Sequence, residues 1–341
     1  MTGRGAERIG LKDVAAHAGV SVKTVSNVVR GTVPVATATR DRVQDSLDAL
    51  GYRPNLSARN LRRGRTGVIA LALPAIDSPY FSALARATID VASGQGWTVL
   101  IDQTDGRLDR EIDVVEGLGS QLVDGVVISP LALGVQQLAR RRSTVPLVLL
   151  GERAWEGPVD HVAIDNVAAA REATEHLLSL GRRRVAAVGS QQRLSGDTAR
   201  LRLQGFQQAL DAAGVAAAAV AEVEHFGRAD GAGAVEQLLA LPQPPDAVFC
   251  FNDLLALGVL RALAVRGVAV PEEVAVIGFD DIEDGAYSTP TLSTVQPDVT
   301  AIATHAVALL DRRLGGDGGP PQEVVVGHRL LARESSLGRA G

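Results

Sequence analysis

The sequence predicts an α/β protein in which a small helical module at the N-terminus is followed by two lobes of doubly wound parallel sheet. Three observations carry this. Short apolar runs (VIALAL, WTVLI, DGVVIS and PLVLL, then RRRVAAVG, DAVFCFN and EVAVIGFDD) alternate with helix-length amphipathic stretches. Strands that are apolar along their length are buried on both faces, which requires helices on both sides of a parallel sheet. The pattern occurs twice, as two similar lobes would require. The third observation is a charge asymmetry: residues 1–66 hold 12 Lys/Arg against 5 Asp/Glu, a net of +7, while the whole chain carries −5, leaving −12 on the remainder. A basic module joined to an acidic body indicates that the first meets a polyanion and the second does not.

Composition narrows the function class. A chain of 341 residues exceeds one ordinary core and implies a small module plus larger ones. With 46% hydrophobic and 21% charged residues it reads as globular, and no run approaches the roughly 18 apolar residues of a membrane span. The start MTGRGAERIG has no apolar signal region, so the expected location is the cytoplasm. The one cysteine, Cys250, lies within AVFCF and reads as a packing residue. There is no GxxxxGK[ST] phosphate loop, no GxSxG elbow and no His or Cys pair at metal-ligand spacing, so neither an enzyme nor a cofactor is expected. DDIEDG departs from a calcium loop because Ile282 occupies a ligand position.

The elements follow in order. LKDVAAHA sets Leu11, Val14, Ala15 and Ala18 on one helical stripe that Gly19 ends. Ser21 is a suitable N-cap for SVKTVSNVV, which turns Val25 and Val28 or Val29 inward and leaves Val22, Lys23, Ser26 and Asn27 towards solvent. This is a helix-turn-helix. A third helix over residues 39–50, with Val43, Leu47 and Leu50 inward and Gly51 as its stop, completes the headpiece. Ala36 cannot cap that helix, so Thr37 or Thr39 is expected to.

LKDVAAHAGVSVKTVSNVVRG, followed by TRDRVQDSLDALGYRPNLSARNLRRGRTGVIALALP, resembles the headpiece, hinge and first core strand of the lactose-repressor (LacI/GalR) family, and the likeness runs the length of the chain in order. It implies a headpiece over residues 1–53, a hinge helix and linker over 54–66, and a periplasmic-binding-protein-like core over 67–341. The core's first lobe would span about 67–164 and 293–326 and its second about 165–292 and 327–341, with three crossings between them. By the same resemblance the second helix enters the major groove, with Val22, Lys23 and Asn27 at base-reading positions and Ser21 and Thr24 on phosphates. The chemistry agrees: Lys donates to guanine acceptors, Asn pairs with adenine, and Val touches a thymine methyl. The resemblance makes Ser26, Tyr52, Asn55 and Arg59 further expected DNA-contacting positions, and Leu61 falls where the family inserts a leucine into the minor groove, unstacking a base step.

In open α/β sheets ligands bind beyond the carboxyl ends of the strands. Asp77, Ser78, Tyr80 and Phe81 follow the first core strand, Asn252 and Asp253 follow DAVFCF, and Asp280 and Asp281 follow EVAVIGF. Such a set of carboxylates, an amide and aromatic rings suits a polyhydroxylated or heterocyclic ligand. The resemblance adds Arg202 as an effector-binding arginine, Phe226 as a cleft aromatic and Thr198 as a hydroxyl position, and makes a sugar the first expectation for the effector, with a purine second. Asp253 and Asp281 read equally well as helix caps. The combined expectation is a cytoplasmic homodimeric repressor on near-palindromic double-stranded DNA, controlled by a small effector. A solute-binding receptor without DNA-binding function is the alternative, and it would need export.

Overall fold

The computed structural model describes residues 9–30, 33–52, 65–117, 122–151, 157–191 and 197–338. Residues up to Arg65 and those from Thr66 onward form two compact units.

In the first unit α1 (Leu11–Ala18) is followed by α2 (Val22–Arg30) and α3 (Thr37–Ala49). Gly19 closes α1 at φ 62°, the left-handed conformation in which a side chain is disfavoured. Ser21 Oγ accepts the Thr24 N–H at 3.1 Å, the expected cap of α2. The expected cap of α3 requires correction. Ala36 occupies the N-cap position with no side-chain bond and the helix begins at Thr37, so neither threonine serves. The start is fixed instead by the buried face: Val43 and Leu47 pack with Val14, Ala15, Ala18 and Val25, and His17 Nδ1 lies 3.0 Å from Ser46 Oγ.

The second unit contains two six-stranded sheets. The first is built from β1 (Val68–Leu73), β2 (Thr98–Gln103), β3 (Gly125–Ile128), β4 (Leu147–Leu150), β5 (Asp160–Ile164) and β11 (Glu323–Val326) in the order β11-β5-β4-β3-β1-β2, with every pairing parallel. The second is built from β6 (Val185–Ser190), β7 (Ala219–Glu222), β8 (Ala247–Cys250), β9 (Ala275–Phe279), β10 (Ser293–Pro297) and β12 (His328–Leu331) in the order β12-β10-β9-β8-β6-β7, parallel except for β12 against β10. The helices that matter below are α4 (Pro79–Gly94), α5 (Leu108–Val115), α6 (Val135–Ala139), α7 (Asn166–Ser179), α8 (Asp197–Ala212), α9 (Arg228–Leu239), α10 (Asp253–Val265), α11 (Glu283–Ala286), α12 (Val299–Leu314) and α13 (Glu334–Leu337).

The chain passes between the lobes three times, after β5, after β10 and after β11. The second passage comes later than expected: β10 pairs with β9 through Ser293↔Ile277 and with β12 through Pro297↔His328, so residues 293–297 belong to the second lobe and the boundary falls after Pro297. β1, β3, β4 and β8 are buried nearly throughout, as uninterrupted apolar strands should be. Polar anchors hold the irregular parts. Asp160, with no exposed side-chain surface, accepts from Arg313 Nε at 2.6 Å and Nη2 at 2.8 Å and from the Gln322 N–H at 2.8 Å, which ties α12 and the approach to β11 onto β5. Ser336 Oγ bonds Ser293 Oγ at 2.7 Å and His176 Nε2 at 2.8 Å, docking α13 on the second lobe.

Candidate DNA-reading face and effector cleft

On α2, helical periodicity buries Val25 completely while Val22 stays 42% exposed. Lys23 is exposed beside it, and Ser26 and Asn27 are half-buried one turn on. A short apolar tip, an ammonium and an amide therefore stand on the outer side of a helix whose inner side is fixed by the core. The Ser21 and Thr24 hydroxyls lie 2.9 Å apart at its N-terminus, where unpaired N–H groups favour an anion such as a phosphate. Tyr52 packs against the headpiece core, and its N–H donates to Leu47 O at 2.9 Å. Asn55, Arg59 and Leu61 lie outside the described residues.

In the second unit a cleft opens where the topology places it, beyond the carboxyl ends of β1, β3, β4 and β5. Tyr80 and Phe81, at the start of α4, stand edge to face with centroids 5.2 Å apart and form one wall. Ser129, Leu131 and Gly151 line it from the loops after β3 and β4, and Thr198 joins them from α8 of the other lobe. The loop carrying Leu131 is fixed from behind. The fully buried carboxylate of Glu111 accepts the N–H groups of Leu131 (2.6 Å), Ala132 (3.0 Å) and Leu133 (2.6 Å).

Thr198 and Arg202 are four residues apart on α8 and so share a face. Arg202, only 3% exposed, donates from Nε to Asn166 Oδ1 at 2.8 Å and from Nη1 to Phe251 O. Its Nη2 stands 3.8 Å from Asp280 Oδ1, and its guanidinium carbon lies 3.5 Å from the Phe279 ring centroid. This geometry combines cation–π attraction with charge-assisted bonds. Asn252 caps α10 by accepting the Leu255 N–H at 2.9 Å, and its amide donates to Phe226 O at 3.1 Å. The reading of Asp253 as that cap is therefore corrected. Asp253 is buried and instead accepts the Ile282 N–H at 2.9 Å and the Thr294 hydroxyl at 2.7 Å. Burial pushes its carboxyl up to about 7. Asp281 is no cap either: Ile282 holds the N-cap position of α11, and Asp281 pairs with Arg333 Nη2 at 2.7 Å.

Asp280 (φ 110°) and Asp281 (φ 51°) both adopt positive φ, a conformation that costs a non-glycine residue on the order of 1–3 kcal/mol and persists where its surroundings enforce it. Of the residues singled out from the sequence, Tyr80, Phe81 and Thr198 thus line the cleft, and Arg202, Asp280, Asn252 and Phe226 are linked at the strand ends of the second lobe. Asp77 is exposed on the turn before α4, and Ser78 holds the N-cap position there with no side-chain bond. Asn166 escaped sequence reasoning. Its signal was the Asp-Asn pair directly after the apolar run HVAI, the same kind of polar step that marked Asn252.

Comparison with known proteins matches residues 10–55 to the model of bacterial regulatory proteins of the lacI family and residues 174–336 to the periplasmic binding protein-like domain. The chain is 32% identical over 327 residues to the HTH-type transcriptional repressor CytR of Escherichia coli strain K12, covering 94% of this chain and 93% of CytR. Among solved structures it is similar to the Lac repressor dimer bound to operator and the anti-inducer ONPF, with TM-score 0.84, 26% identity, and 97% of this chain and 100% of that one covered. The complex of the transcriptional regulator CelR with cellobiose superposes with TM-score 0.71 at 31% identity, over 96% of this chain and 100% of that one.

Proposed function

Because this chain belongs to the LacI family of bacterial regulatory proteins, and is accordingly a DNA-binding transcription regulator whose relatives are repressors, we propose that it works as a homodimeric repressor controlled by a sugar bound in the cleft. The observation that carries the DNA-reading part is the outer face of α2, where Val22 and Lys23 are exposed and Asn27 is half-buried while Val25 anchors the helix, the arrangement that a groove-reading helix needs. A near-palindromic operator follows from two-fold symmetry of the dimer, and a repressor acting on such an operator works in the cytoplasm.

Two features support the sugar. An aromatic pair on one wall can cover an apolar sugar face, and the polar groups at the second lobe's strand ends can bond hydroxyls; CelR, similar over most of its length, was solved with cellobiose. Dimerisation through the core is supported by an apolar groove on the first lobe lined by Leu73, Ile76, Phe81, Ala85, Ile89 and Ile101, of which Ile76, Ile89 and Ile101 are exposed. Phe81 lines both this groove and the cleft, so a ligand that moves it alters the face offered to a second copy. The mechanism is a population shift: effector and DNA prefer different arrangements of the dimer, and each weakens or strengthens the other reciprocally.

The test is selection of duplexes from a random pool with the full-length protein, followed by titration of the selected duplex with a panel of sugars and purines. An inverted-repeat site whose binding one sugar alters is expected. Enrichment of no sequence, or a response to purines alone, contradicts the respective part.

A further inference from the structure

We propose that Asp253 is a positioning residue for effector recognition: its buried carboxyl tethers the strained turn 280–282 and so sets where Asp280 stands at the cleft. The proposal rests on the reading of Asp280 as an effector-facing carboxylate.

Four elements meet at this one carboxyl. It sits in the first turn of α10, takes the Ile282 N–H at 2.9 Å and the Thr294 hydroxyl of β10 at 2.7 Å, and packs against β9 at Gly278. β9 is shaped for it: a Cβ at Gly278 would stand 2.1 Å from Asp253 Oδ1, so only glycine there admits the carboxyl. Helix capping does not explain the aspartate, since Asn252 already takes the Leu255 N–H. The turn that it holds needs holding, because Asp280 and Asp281 in succession have positive φ. Asp281 is fixed on its other side by Arg333 at 2.7 Å, and the Asp280 N–H by Val295 O at 2.8 Å. Asp253 thus supplies the link from the rigid start of α10 to the residue just after the strained pair.

The same geometry gives a readout that packing alone would not. Burial raises the Asp253 carboxyl to about 7, with the nearby charge of Asp281 adding to the shift, while Asp281 is itself paired with Arg333. The Cys250 thiol, the other buried titratable group coupled to it, is pushed upward and stays protonated. Opening the turn would hydrate the carboxyl and return it toward its ordinary value near 4. Ionisation therefore favours the open turn: the tether is tightest below about pH 4, loosens as pH rises, and loses this contribution above about pH 7.

Hydrogen–deuterium exchange of the full-length protein tests this. Asp253→Ala is expected to speed exchange over residues 279–285 about tenfold, on the strength of the two bonds removed, while β6 and β8 stay as protected as before. Asp253→Asn, which keeps an acceptor for Ile282 and a donor for Thr294, is expected to restore protection. In the wild type, protection of 279–285, corrected for the intrinsic pH dependence of exchange, is expected to fall as pH rises from about 5 to about 7 and to level off above about 8, and in the asparagine variant to stay level throughout. Should Asp253→Ala fail to fold, Gly278→Ala presses a methyl onto the carboxyl and is expected to loosen the same segment, and the wild-type pH series needs no variant. Unchanged protection in the alanine variants, or a wild-type segment indifferent to pH, overturns the tether. Asp280→Asn leaves every tether bond in place and should not change this exchange. Its own readout is the operator response to the sugars and purines, so the tether and the effector reading fail separately.

Discussion

Replacement of Arg202 by methionine tests how far the cleft is built around one buried cation. Methionine keeps the length of the side chain and removes the charge and all donors. Asn166 Oδ1 and Phe251 O lose their partners, Asp280 loses the cation 3.8 Å away, and Phe279 loses the guanidinium over its ring. Two buried acceptors left unpaired cost about 1–3 kcal/mol each, and the lost cation–π contact adds about 1 kcal/mol. The sum, about 3–7 kcal/mol, spans the roughly 3–5 kcal/mol that removal of one partner from a buried charged pair ordinarily costs. At about 2–4 °C per kcal/mol for a domain of this size, the core's Tm should fall by about 10 °C. Arg202→Lys keeps the charge without the planar fork and should lose roughly half as much. Differential scanning calorimetry reads the loss, and anisotropy on the selected duplex, at a temperature where the variant is folded, reads the effector response, which should disappear. A methionine variant that melts within about 2 °C of the wild type, or that responds to effector normally, would refute the reasoning.

Other consequences are equally direct. Asn27→Ala should weaken binding to the selected duplex about 10- to 100-fold and leave binding to random DNA unchanged, as loss of a base contact requires; equal losses on both would show that it touches only the backbone. Burial lowers the pKa of His176, which bonds Ser336 as a neutral ring. A lowered folded-state value means that stability is intact above the unfolded value near 6.5 and declines as pH falls through it. Tm should therefore drop on acidification from about pH 7 to about pH 5, and His176→Gln should flatten that slope. Ile101→Asp, on the exposed edge of the first lobe's groove, should shift the sedimentation of the protein from dimer to monomer without changing its circular dichroism.

The fold was legible wherever period and composition agreed. VIALAL, DAVFCF and EVAVIGF stand as buried parallel strands because nothing but a two-sided helical cover can shelter such runs, and the LKDVAAHAG stripe put Val14, Ala15 and Ala18 in the headpiece core. What escaped depended on partners distant in sequence. β10 reads as an ordinary short strand, and only its pairing with β9 and β12 assigns it to the second lobe. The start of α3 at Thr37, behind an alanine that cannot cap it, was hidden for the same reason: burial of Val43 and Leu47 outweighs a missing cap worth about 1 kcal/mol. At the cleft, polar residues after strands were found by position, yet the local sequence around Asp253 suggested a cap. Its partners, Ile282 and Thr294, lie 29 and 41 residues away. Glu111 was missed altogether, since nothing near it in the chain foretells three backbone donors from 131–133.

Fluorescence anisotropy of the full-length protein on its selected duplex at near-physiological salt tests the α2 face and the cleft at once. Expected are tight binding that weakens steeply as salt is raised, a clear preference over random DNA, and a change in affinity on addition of one compound from the panel that is lost in the Arg202→Met variant. Binding that is equally strong on every duplex, or that no compound alters, would contradict the proposed function.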